Sequence, residues 1–170
     1  MEYILFAADS IWPSRRVFEH TVDLCAQMTA RLNVLQIIQP RRFKHTLSAT
    51  RSRLARAHFM FETSMSAATY AQAGCSELAK QCLLQGEHAL KGLRLIADNQ
   101  GVHAEFSQQI GPFAHELILF LEQRPDMVMA VLDAQDTLSD KGSKQKIQEL
   151  LKIIPYKIGI PVIVPGWSKT

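Results

Sequence analysis

The sequence predicts an α/β domain built on a doubly wound, five-stranded parallel sheet. Three observations carry that reading. Short apolar runs alternate along the chain with segments of helical periodicity. The runs at 3–8, 33–39, 127–132 and 160–166 are apolar almost throughout, as strands covered on both faces must be. The joints between strand and helix are mostly a few residues long, as in βαβ crossovers. A chain of 170 residues, 47% apolar and of mean hydropathy −0.03, is enough for one domain over 1–170 with a sizeable core.

Each element has its own justification. "YILFAA" (3–8) is the first strand, and "DSIWPS" supplies turn and cap residues. Over 14–32, Val17, Thr21, Leu24, Cys25, Met28 and Leu32 fall on one helical face. "NVLQIIQ" (33–39) is the second strand. Residues 40–73 are too long for an ordinary loop. Leu54, Ala57, Phe61, Met65 and Ala68 recur there at helical spacing, so an extra helix is expected as an insertion after the second strand. Over 75–101, Leu78, Cys82, Ala89, Leu93 and Ile96 form a stripe, with Gly101 as the stop. "VHAEFSQQI" (102–110) alternates as a strand. Gly111-Pro112 opens a third helix that Pro125 ends. "MVMAVL" (127–132), a helix over 143–154 with Ile147, Leu150, Leu151 and Ile154 inward, and "IPVIVPG" (160–166) complete the set.

Composition narrows the function. No apolar run approaches the ~20 residues of a membrane span. "MEYILFAAD" lacks the basic start and small-residue cleavage site of a signal peptide, so the expected location is cytoplasmic. Cys25, Cys75 and Cys82 lie in helical patterns and read as reduced, buried thiols. The net charge of +3 is concentrated. Residues 41–58 hold Arg41, Arg42, Lys44, Arg51, Arg53 and Arg56 with no acid, leaving 13 basic against 16 acidic residues elsewhere. That segment reads as a solvated face, or as a surface that docks a protein partner through 41–70. Its aromatics are too few and too spaced for base stacking, which speaks against nucleic acid. The six histidines show no metal-ligand spacing, so no metal is expected. No ordered nucleophile, base and acid can be assigned either, so no catalytic residue is named.

In such sheets ligands lie at the carboxyl ends of the strands, where strand order reverses. Asp9, Gln39 and the 131–143 loop stand there. The stretches "ILFAADSIWPSRRVFEHTVDLCAQMTARLNVLQIIQP", "GPFAHELILFLEQRPDMVMAV" and "GSKQKIQELLKIIPYKIGIPVIVPG" resemble, in order and spacing, the universal stress protein family. The resemblance spans the chain except about 40–73. It implies the sandwich shared with the adenine nucleotide alpha hydrolases, a non-enzymatic regulatory or stress-response role, and a homodimer. In ATP-binding members a G-x-x-G, about nine residues, then G-[ST] cradles the phosphates. Here Val131 and Ala134 stand at the first two glycines, and only Gly142 and Ser143 match, two residues early. Glycines there let backbone N–H groups reach phosphate oxygens. Asp133, Asp136 and Asp140 would repel a triphosphate. The expectation is a degenerate loop without tight ATP binding. The alternative is an ATP-binding switch, with slow hydrolysis at most, using Asp9, Gln39, Gly142 and Ser143. The last strand carries Val162, Ile163 and Val164 between two prolines with no guarding charge, and is the expected dimer edge.

Overall fold

The computed structural model describes residues 2–39, 76–134 and 143–166. The expected inserted helix and the basic segment lie outside the described residues. The elements run β1 (Tyr3–Ala8), α1 (Arg15–Met28), β2 (Arg31–Ile38), α2 (Ser76–Asn99), β3 (Ala104–Ile110), α3 (Phe113–Glu122), β4 (Met127–Asp133), α4 (Ser143–Lys157) and β5 (Val162–Ile163). All strand pairs are parallel, in the order β3-β2-β1-β4-β5.

Alternation along the strands divides the core in two. Ile4, Phe6 and Ala8 of β1 and Leu32 and Val34 of β2 face α1 and α2. Leu5, Ala7, Leu35 and Ile37 face α3 and α4. β1, β2 and β4 are therefore apolar on both sides, which is why each reads as a continuous run. Phe18 of α1 is fully buried and meets Phe6 edge to face, with ring centroids 5.2 Å apart.

Several boundaries differ from the sequence expectation. Helix α1 stops at Met28 because Thr29 adopts a left-handed φ of 55° and Ala30 N–H bonds back to the Cys25 carbonyl. Leu32 thus belongs to β2, and Met28 is 41% exposed. Phe18 and Val22 complete the inner face instead. On α2 the buried stripe is Cys82, Gly86, Leu90, Leu93 and Ala97, with Ala89 and Ile96 at its margin. The side chain of Leu78 lies outside the described residues. Helix α4 runs through Pro155 to Lys157. Strand β5 is only two residues long, pairing Ala130 with Val162 and Val131 with Ile163. Pro161 and Pro165 flank it and have no N–H for a ladder.

Candidate functional site

The carboxyl ends of β1, β2 and β4 meet at one edge of the sheet. Ala8 is in register with Gln36 on one side and Asp133 on the other. The ladder runs one residue further, since Asp9 N–H donates to the Asp133 carbonyl at 3.2 Å. Both aspartates are 2% exposed. The Asp133 carboxylate accepts the Ser14 backbone N–H at 2.5 Å. Ser14 is the N-cap of α1, and its hydroxyl accepts from Val17 N–H at 3.4 Å. The first turn of α1 holds no acid and two arginines, which the positive end of the helix dipole disfavours. A buried carboxylate from β4 offsets both. Arg15 itself turns outward to Glu19, at 2.7 Å.

A second clamp holds the loop between β1 and α1. Gln36, fully buried in an apolar strand, donates its amide to the carbonyls of Ser10 (3.0 Å) and Ile11 (2.8 Å). Its carbonyl accepts from Gln108 of β3 at 2.7 Å, and Gln108 also donates to the Leu83 carbonyl of α2. Gly86 is what makes room. A Cβ there would lie 2.5 Å from Gln36 Oε1 and 2.7 Å from Gln108 Nε2. The two glutamines thus sit between sheet and helix with their hydrogen bonds made, as buried amides require.

On the opposite face, a cleft of about 360 Å³ opens between the start of α3 and α4. Phe113, Ile118, Ile147 and Leu150 line it, with Gln39, His115 and Glu149 as its polar members. Its volume is that of a small-ligand pocket.

The four expected ligand residues are therefore placed unequally. Gln39 is half-buried and lines the cleft together with α4. Ser143 begins α4. Gly142 lies outside the described residues. Asp9 is buried beside Asp133. Asp133 was expected as a loop carboxylate; it is the last residue of β4 and serves α1. Asp136 and Asp140 lie outside the described residues. Sequence reasoning missed Gln36 and Gln108. The signal for Gln36 was present: one amide inside "NVLQII".

Of the expected dimer edge, Ile163 is 39% exposed and Val162 is partly buried, while Val164 is 9% exposed in the core beneath α3 and α4. Burial pushes the thiols of Cys25 and Cys82 up, to about 12 and about 11, so neither is a nucleophile at neutral pH. Cys75 lies outside the described residues. Among the described residues, no cluster of three or more His, Cys, Asp or Glu is placed to hold a metal ion, and no helix is long and apolar enough to cross a membrane.

No protein-family model matches the sequence, and no curated protein matches it. Solved structures do match. A protein of the universal stress protein family from Burkholderia pseudomallei superposes with a TM-score of 0.57 at 14% identity, over 96% of this chain and 94% of that one. The universal stress protein UspA from Lactobacillus plantarum gives 0.54 at 13%, over 96% of each. The universal stress protein from Archaeoglobus fulgidus, solved in complex with dAMP, gives 0.51 at 12%, over 96% of this chain and 97% of that one. At such identities the likeness lies in the path of the backbone, and it spans nearly the whole of each chain. The chain has the fold of the universal stress proteins.

Proposed function

We propose that the chain is a non-enzymatic, cytoplasmic regulatory protein of the universal-stress type, acting as a homodimer in a stress response and binding no ATP tightly. One observation carries this reading: the end of β4 is closed by side chains. Val131 and Ala134, at the places of the two phosphate-loop glycines, are 2% and 1% exposed and belong to the cores on opposite faces of the sheet. Between them Asp133 turns its carboxylate onto α1. Among the described residues, a triphosphate brought to this strand end would meet packed side chains and two buried carboxylates. The exposed Ile163 on β5 supports dimerisation through that edge.

A second reading, a nucleotide-dependent switch, is favoured by the cleft beside Gln39 and by the dAMP complex of the Archaeoglobus fulgidus protein. A ligand with a base and at most one phosphate would suit the cleft without crowding Asp133. Native mass spectrometry of the freshly purified protein separates the two. The leading reading expects the polypeptide without nucleotide, as a dimer or an assembly of dimers. A co-purified nucleoside or monophosphate would favour the switch, and bound ATP would contradict the leading reading.

A further inference from the structure

Strand β3 is the opposite edge of the sheet. It is seven residues long, against two for β5, and its pairing with β2 runs unbroken from Ala104 to Ile110. It contains no proline, no lysine and no bulge, the usual devices that blunt an edge. Its one charge is Glu105. That carboxylate is turned back over the sheet, where it accepts from Tyr3 hydroxyl (3.4 Å) and Asn33 amide (3.2 Å) and lies 3.6 Å from Arg124. It does not guard the edge.

The direction of the outer backbone groups follows from two bonds. The His103 carbonyl accepts from Leu32 N–H, and Gly111 N–H donates to the Ile38 carbonyl. Both residues therefore face β2. Alternation along the strand then turns the N–H and C=O groups of Ala104, Phe106, Gln108 and Ile110 away from it. Among the described residues, no backbone hydrogen bond from another element reaches that outer side.

We propose that β3 is a strand-pairing surface for a second copy of this chain, joined antiparallel across a two-fold axis at Ser107. Ser107 is the middle residue of the strand, so only this register uses all of it. Phe106 then stands opposite the partner's Gln108, and Ala104 opposite the partner's Ile110. Every outward-facing group meets another, giving about eight backbone hydrogen bonds. Glu105 stands opposite the partner's Gln109, a carboxylate against an amide, and no like charges face each other. The self-match in charge and parity favours a second copy over an unrelated extended peptide. The observation is independent of the β5 edge. A chain pairing at both edges builds assemblies larger than a dimer.

Ser107→Cys tests the register directly, in a Cys75→Ser, Ile163→Lys background that removes a competing thiol and the β5 contact. Residues facing each other in a non-hydrogen-bonded antiparallel pair have Cα atoms about 4.5 Å apart, within reach of a disulfide. Mild oxidation should convert most of the protein to a covalent dimer on a non-reducing gel. Ala104→Cys in the same background should not cross-link, because its two copies would lie ~20 Å apart. Light scattering of the unoxidised background protein should give a dimer, and Ser107→Lys should return it to a monomer. A monomeric background protein, or equal cross-linking of the two cysteine variants, overturns the proposal. If the β5 edge were not an interface, wild type and the Ile163→Lys background would have the same mass, while the Ser107→Cys result would stand.

Discussion

Phe18→Ala should lower the unfolding free energy by about 3–5 kcal/mol, the cost of emptying a buried aromatic site. Phe18 is fully buried at the centre of the α1-facing core. Its ring meets Phe6 of β1 at an interplanar angle of 86°, an edge contact that contributes roughly 0.5–1.5 kcal/mol beyond burial. For a chain of this size each kcal/mol moves the melting temperature by roughly 2–4 °C, so a fall of about 6–20 °C is expected. Leu95→Ala is the control. Leu95 is 64% exposed on α2, and its loss should change stability by less than about 0.5 kcal/mol. Thermal melts of the two variants check the pair. Equal effects would mean that α1 does not pack through Phe18.

Asp133→Ala should cost about 1.5–3 kcal/mol, the range for a hydrogen bond to a charged group. The carboxylate is buried and receives the Ser14 N–H at the start of α1. Without it that donor loses its partner at a part-buried helix start, and the dipole's positive end loses the carboxylate that offsets it. Asp133→Asn keeps an acceptor oxygen and loses the charge, so it should fall between wild type and Ala. Urea unfolding, read by circular dichroism, gives the three values. An Ala variant as stable as wild type would detach Asp133 from α1 and remove the reason for its place at the strand end.

These two residues also mark where the sequence was legible. β1, β2 and β4 show in it because strands covered on both faces leave unbroken apolar runs. Phe18 and Val22, though, were missed: of the face drawn through Val17, Thr21, Leu24, Cys25, Met28 and Leu32, Val17, Thr21 and Cys25 are buried on α1, while Leu24 is at the margin, Met28 is exposed and Leu32 belongs to β2. Periodicity fixes the existence of a helix better than its rotation. β5 was drawn over 160–166 and is only Val162–Ile163: the prolines that bracket it, neither with an N–H to donate, shorten the ladder further than the apolar run suggests. The site was less legible still. Asp133 and Ser14 are 119 positions apart, and Gln36 and Gln108 are 72 apart. No local pattern links such pairs; they become neighbours only once the strand order is known. The expectation of a degenerate loop rested on Val131 and Ala134 standing where the resembled family carries glycines; both side chains are part of the core.

The closure of the β4 end against phosphate is the central claim, and melting the protein with and without millimolar ATP and magnesium tests it most directly. A ligand present at 100 times its dissociation constant adds about 2.7 kcal/mol to stability. For a chain of this size that is roughly 5–11 °C. The closed strand end predicts a shift of less than about 1 °C, with no saturation as ATP is raised. A saturable rise of several degrees that Asp9→Ala abolishes would contradict it.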